Sequence, residues 1–71
     1  MKDWKERLAD ETLQLAEKCN KLQDFMRTEQ YYELTRNEKD LFYMQIHAML
    51  TYLEVLGKRC ELYEIKLNLK K

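Results

Sequence analysis

Apolar residues recur every seven positions through the first part of the chain. They form two complementary heptad rows, Leu8, Leu15 and Leu22 in one and Thr12, Cys19 and Met26 in the other. This spacing places both rows on one face of an α-helix. Glu17 precedes Lys21 by four residues, the favourable order for an ion pair on the exposed face. The pattern predicts a first helix over about residues 3–27.

A break in this pattern follows at Thr28. Thr28 is a suitable N-cap for a short helical turn through residues 29–34. The segment Thr35-Arg36-Asn37-Glu38 then matches a capping box, in which Thr35 and Glu38 satisfy each other's free backbone amides. The sequence therefore predicts a connection over residues 28–35 and a second helix that begins at about residue 36.

The heptad pattern resumes after the capping box and continues almost to the end of the chain. One row contains Phe42, Met49, Leu56 and Tyr63, and the other contains Ile46, Leu53, Cys60 and Leu67. The pattern passes through Gly57, which predicts one continuous helix over about residues 36–69. Gly57 has two interpretations, a defect that costs about 1 kcal/mol or a point of close approach by another helix.

The second helix also carries apolar residues that the first helix leaves uncovered. A further row contains Leu41, Ala48, Val55, Leu62 and Leu69, and Ile65 and Leu67 extend beyond the predicted reach of the first helix. A chain of 71 residues has little core of its own, and an exposed apolar patch of this size usually marks an interface. We therefore expect an all-α, single-domain protein over residues 1–71. It forms an antiparallel two-helix hairpin with a short helical turn at the connection, and it assembles into a homo-oligomeric helical bundle.

Charge and hydropathy narrow the range of partners. Thirteen basic residues balance thirteen acidic ones, which argues against binding to DNA or RNA polymers, since these require an excess of positive charge. No apolar run approaches the roughly 20 residues of a membrane-spanning helix. We therefore expect a cytoplasmic protein with no membrane association.

The residues that most often carry catalysis or bind metals are sparse. Cys19 and Cys60 occupy core positions and are expected to be buried free thiols, since the hairpin register holds them too far apart for a disulfide. His47 falls on the polar side of the second helix, and the chain contains no serine. The sequence predicts a non-enzymatic protein with no catalytic residue, metal site or cofactor.

A polar and aromatic strip on the second helix is the strongest candidate for ligand binding. The strip consists of Gln45, Tyr52, Arg59 and Lys66, which are spaced by seven. The antiparallel register brings Trp4, Lys5 and Arg7 close to Arg59. Arginine forks bind phosphate and aromatic rings stack on bases, so Trp4, Arg7, Tyr52 and Arg59 form a candidate site for a phosphate-bearing ligand. The alternative is an interface strip, in which Tyr52 packs and Arg59 pairs with a carboxylate across subunits.

The chain resembles a widespread group of short phage and prophage proteins over residues 4–67. The features that carry the resemblance are Trp4, Arg7, Glu11, Leu15, Lys18, Leu22, Phe25, Tyr32, Leu34, Leu41, Gln45, Met49, Tyr52, Leu56 and Arg59. Gln45, Tyr52 and Arg59 are the most specific of these, because helix packing does not require them. Cys60 departs from the pattern, which has an aliphatic residue there. The resemblance implies a phage-encoded helical hairpin in the cytoplasm of the infected bacterium.

In size and architecture the chain is also similar to the phage anti-CBASS sponges, which sequester cyclic nucleotide immune signals. That similarity implies an anti-defence protein whose oligomer binds a cyclic oligonucleotide. A helical module that binds and inhibits a host protein, or a structural phage accessory protein, is the alternative.

Overall fold

The computed structural model describes residues 3–67, which form two long helices joined by a short one. These are α1 (Trp4–Phe25), α2 (Glu29–Tyr32) and α3 (Arg36–Leu62). Helices α1 and α3 pack against each other in an antiparallel hairpin with extents of 43 × 21 × 20 Å. The predicted all-α hairpin is confirmed. None of the helices within residues 3–67 is long and apolar enough to cross a membrane.

Local side-chain caps determine where each helix begins. Asp3 caps α1 by accepting a hydrogen bond from the Glu6 amide at 2.9 Å. The Thr28 hydroxyl donates to the Phe25 carbonyl at 2.7 Å and accepts from the Tyr31 amide at 3.3 Å, so it both closes α1 and opens α2.

The predicted capping box is present at the start of α3. The Glu38 amide donates to Thr35 Oγ1 at 3.2 Å, and the Glu38 carboxylate accepts from the Thr35 amide at 3.1 Å. Both interactions are local in sequence, which is why the motif could be recognised without a structure.

The core between α1 and α3 is narrow. Within residues 3–67 its buried apolar residues are Leu8, Cys19, Ile46, Leu56 and Cys60. Cys19 and Cys60 are buried free thiols, as predicted, and burial raises the pKa of Cys19. Thr12 is also buried, and its hydroxyl donates to the Leu8 carbonyl at 2.7 Å and lies 3.5 Å from the Cys60 sulfur. A core of this size leaves much of the apolar surface of α3 uncovered.

Helix α3 ends earlier than the heptad pattern indicated. It ends at Leu62 rather than near residue 69, and Glu64 adopts a left-handed conformation with φ of 56°. The Ile65 amide then donates to the Cys60 carbonyl at 2.8 Å, and the Glu64 amide donates to the Glu61 carbonyl at 3.1 Å. These two bonds form a Schellman motif, which reverses the chain after a helix.

The reversal changes the environment of two residues that were predicted at the oligomer interface. Ile65 and Leu67 do not extend beyond α1; both are half-buried against the cluster of Leu8, Leu56 and Cys60. They contribute to the hairpin's own core. Leu69, the last residue of the predicted interface, lies outside the described residues.

Helix α3 continues through Gly57 without a break. A Cβ atom built at Gly57 meets no heavy atom of the described residues within 4 Å. Within one hairpin, Gly57 is therefore a site of low helix propensity and not a point of close approach.

Candidate functional site

Two rows of side chains meet along one edge of the hairpin, where α1 and α3 lie side by side. On α1, residues spaced by seven occupy one face: Trp4, Glu11, Lys18 and Phe25. They are met by Phe42, Gln45 and Tyr52 of α3 and by Tyr63, the residue that follows α3. Arg59 of α3 continues the heptad spacing of Gln45 and Tyr52. We call this edge the seam. It contains most of the polar and aromatic residues that the sequence resemblance singled out.

Aromatic contacts form the two ends of the seam. At the open end of the hairpin, the Trp4 and Tyr63 rings pack edge to face with centroids 4.7 Å apart. At the end near the connection, the Phe25 and Phe42 rings are 5.4 Å apart and tilted by 35°. Trp4 remains 48% exposed, and the Lys5 ammonium lies over its ring at 5.7 Å from the centroid.

A hydrogen bond between Tyr52 and Glu11 joins the two helices at the middle of the seam. The Tyr52 hydroxyl donates to the Glu11 carboxylate across the hairpin. This bond raises the pKa of Tyr52 above its ordinary value, with smaller contributions from burial and from the charge of Glu11, while the positive charge of Arg59 opposes the rise. The tyrosine is therefore held as a neutral donor, and Arg59 lies within electrostatic range of it.

The four predicted ligand-binding residues all lie on or beside the seam, but they do not form a single closed pocket. Arg59 is exposed near Tyr52, which is already bonded to Glu11. Trp4 packs against Tyr63. Arg7 is exposed on α1, four residues before Glu11 and thus on the same side of the helix.

Towards the connection, the seam opens into a groove of about 450 Å³. We call it the lysine groove, and its lining consists of Lys18, Lys21, Leu22, Phe25, Phe42, Gln45 and Met49. This volume lies within the range of roughly 300–1,000 Å³ that small-molecule sites occupy. The lining combines an apolar floor with three polar side chains, and only the two lysines among them carry a charge.

The sequence alone did not identify the lysine groove or the role of Glu11. In the sequence, Glu11 and Lys18 stand out only among the residues that carry the resemblance, and Lys21 only as the ion-pair partner of Glu17 on the exposed face. The signal that points to them is the heptad spacing of Trp4, Glu11, Lys18 and Phe25, which repeats the spacing of Gln45, Tyr52 and Arg59 on the opposite helix. Within residues 3–67, no group of three or more His, Cys, Asp or Glu residues could hold a metal ion.

A second surface of α3 is exposed and apolar. Leu41 and Leu62 are 65% and 73% exposed, Val55 is 49% exposed, and Ala48 is exposed between them. Met44, which is 65% exposed, widens this row. The row is part of the predicted oligomer interface, and within one hairpin nothing covers it among the described residues.

Comparison with known proteins identifies the family. The chain belongs to the Sequestin family, whose sequence model matches residues 2–62. The match spans both long helices and every residue of the seam except Tyr63. Searches of curated proteins and of solved structures gave no match. The family name indicates a protein that binds and sequesters, rather than one that catalyses a reaction.

Proposed function

We propose that this member of the Sequestin family is a non-enzymatic phage anti-defence protein that oligomerises and sequesters a nucleotide immune signal of the cyclic oligonucleotide class. The observation that carries the proposal is the seam, where exposed cationic and aromatic side chains line one edge of a hairpin from a sequestering family. Such a protein acts by mass action, since each bound signal is unavailable to its host receptor.

The seam offers the two kinds of contact that a nucleotide requires. Arg59 and Arg7 supply guanidinium groups, which bind phosphate oxygens through paired hydrogen bonds. Trp4 presents an exposed ring for stacking, and the fixed, neutral Tyr52 can donate only to Glu11 or to a ligand that replaces it. These four residues form the proposed ligand-binding set.

Oligomerisation is the second part of the proposal. An exposed apolar row runs along about six turns of α3 and consists of Leu41, Ala48, Val55 and Leu62. The core that stabilises the isolated hairpin is narrow. Burial of apolar surface contributes roughly 25 cal/mol per Å², so a second copy that covers this row would stabilise a chain that is otherwise marginal.

Isothermal titration calorimetry with a panel of cyclic di- and trinucleotides tests this function. Wild-type protein should bind at least one of them with defined stoichiometry, and Arg59→Ala should weaken binding by about 10- to 100-fold, as expected for a lost charge-assisted hydrogen bond. Lys58→Ala is the matched control, because Lys58 is an adjacent exposed cation paired with Glu54 on another face. Equal loss in the two variants, or no binding by the wild type, would contradict the proposal.

The exposed row on α3 favours one alternative function, inhibition of a host protein. An amphipathic helix commonly inserts its apolar face into a groove on a partner. In that case Leu62→Ala would abolish capture of a stoichiometric host protein, and no cyclic nucleotide would bind. If the nucleotide binds and the row is covered by a second copy, this alternative is excluded.

A further inference from the structure

The lysine groove has the lining expected of a site for a flat, anionic ligand. Its floor is apolar, with the Phe25 and Phe42 rings packed against each other. Its only charged residues are Lys18 and Lys21, and the Gln45 side chain adds an amide that can both donate and accept. A nucleobase fits the floor, its polar edge meets Gln45, and a phosphate meets the lysines.

Both lysines are available to such a ligand. Lys21 pairs with Glu17 at 3.1 Å, but both side chains are largely exposed, at 75% and 67%. A surface pair of this kind contributes roughly 0–1 kcal/mol, so an incoming phosphate can displace Glu17. Lys18 forms no ion pair with any residue in the range 3–67.

Arg59 of the same chain lies away from the groove along α3. At a rise of 1.5 Å per residue, it is about 15 Å beyond Met49, the lining residue of α3 nearest to it, and about 21 Å beyond Gln45. A cyclic dinucleotide carries two phosphates on opposite sides of one ring. A ligand whose base lies beside Gln45 is therefore poorly placed to bring its second phosphate to Arg59 of the same chain.

The exposed apolar row of α3 is self-complementary, so a second copy of the chain can pack against it and bring its own Arg59 towards the groove. Its residues are symmetric in size about a point between Thr51 and Tyr52, with large side chains at both ends and small ones near the centre. In an antiparallel pair of α3 helices, Leu41 lies opposite the partner's Leu62, and Ala48 lies opposite the partner's Val55. A two-fold interface requires this self-complementarity.

The charges on α3 agree with the same pairing. In this register Lys58 lies level with the partner's Gln45, Glu54 with the partner's Met49, and Glu61 with the partner's Phe42. No charged residue of α3 between Leu41 and Leu62 lies level with a like charge on the partner's α3, so the two α3 helices contribute no direct like-charge repulsion in this register.

The pairing also places Arg59 level with the partner's Met44, one residue from the Gln45 that lines the partner's groove. We propose that the ligand site is composite. The lysine groove of one protomer binds the base and one phosphate of the cyclic nucleotide, and Arg59 of the partner subunit binds the other phosphate. This inference rests on the proposed function; of the four residues proposed there it keeps Arg59, and it replaces Trp4, Arg7 and Tyr52 with the lysine groove as the principal contact surface.

A complementation experiment with two charge-reversal variants tests the composite site. The side chains of Lys18 and Arg59 are both exposed on the hairpin. We therefore expect Lys18→Glu and Arg59→Glu to retain the helical fold, which circular dichroism can verify. Each homodimer should bind a cyclic dinucleotide about 10- to 100-fold more weakly than the wild type. The two chains are then co-expressed with different affinity tags, and the heterodimer is isolated by purification on both tags.

The number of ligands that the heterodimer binds distinguishes a site shared between two subunits from a site within one chain. If the site is composite, one of its two sites combines an intact groove with an intact Arg59, so the heterodimer should bind with wild-type affinity at about half the wild-type stoichiometry. If each site lies within one chain, both sites carry one reversal and the heterodimer should bind as weakly as the homodimers, which would overturn the composite site alone. The control is a heterodimer of Lys58→Glu with Arg59→Glu. One of its two sites should be intact in either arrangement, so it shows that a co-expressed heterodimer with a single intact site can bind the ligand.

The failure of the broader proposal has a different signature. If the wild type binds no cyclic di- or trinucleotide, the sponge function itself is wrong and the composite site falls with it. If Arg59→Glu leaves binding of the wild-type ligand unchanged, the sponge stands and the partner's contribution is refuted.

Discussion

Leu56 is the most completely enclosed side chain of the described residues, and its truncation tests the core most directly. Leu56 is 0% exposed and contacts the cluster that includes Leu8 and Cys60. Leu56→Ala removes this packing and leaves a cavity, which costs about 2–5 kcal/mol. A chain of this length has a total stability of roughly 4–10 kcal/mol at about 0.05–0.15 kcal/mol per residue. We therefore expect Leu56→Ala to remove roughly a fifth or more of the free energy of unfolding.

Urea unfolding followed by far-UV circular dichroism measures this loss, with Leu41→Ala as the matched control. The control deletes the same atoms from a side chain that is 65% exposed in the hairpin. The midpoint for Leu56→Ala should fall at every protein concentration. The midpoint for Leu41→Ala should fall only at concentrations where the oligomer forms, because its cost lies in association. If the two variants were equally stable at the lowest concentration, within about 0.5 kcal/mol, the assignment of the core would be refuted.

Three further predictions concern the backbone and the seam. Glu64→Gly should raise stability by about 1 kcal/mol, because glycine adopts the left-handed conformation at the end of α3 without strain; a fall in the urea midpoint would contradict the Schellman motif. Gly57→Ala should also raise stability, by about 0.5–1 kcal/mol, because the added methyl group meets open space; a loss of stability that appears only in the oligomer would instead indicate a close approach between subunits. The Tyr52 phenol should ionise above its ordinary pKa of about 10, because its hydrogen bond to Glu11 favours the neutral form. That bond stabilises the fold below pH about 10 and is lost as the pH rises through the raised pKa. Subtracting the ultraviolet phenolate titration of Tyr52→Phe from that of the wild type isolates the titration of Tyr52, which should show the raised pKa. If Glu11→Gln left that pKa unchanged, the assigned cause would be wrong.

The elements of this fold were predictable where the determining interactions are local in sequence. The capping box of Thr35 and Glu38 and the Thr28 cap each depend on residues three apart, so the sequence located both helix starts. The heptad rows likewise indicated the core positions of Leu8, Leu56 and Cys60, because helical periodicity alone puts them on one face.

The end of α3 and the contacts of the seam were not predictable in this way. A Schellman motif usually carries glycine at its left-handed position, and Glu64 gives no such signal. Helical periodicity therefore continued to indicate helix through Ile65 and Leu67, although both fold back onto the core. The bond from Tyr52 to Glu11 and the lysine groove depend on the register between two helices, which no local pattern encodes.

Native mass spectrometry of the untagged protein, at low micromolar concentration with and without cyclic di- and trinucleotides, can show both oligomerisation and sequestration. We expect a discrete oligomer that gains the mass of a cyclic nucleotide in fixed stoichiometry. In Arg59→Glu, the oligomer should remain and the gain in mass should be lost. A monomer, or an oligomer whose mass no nucleotide changes, would refute a nucleotide-binding oligomer.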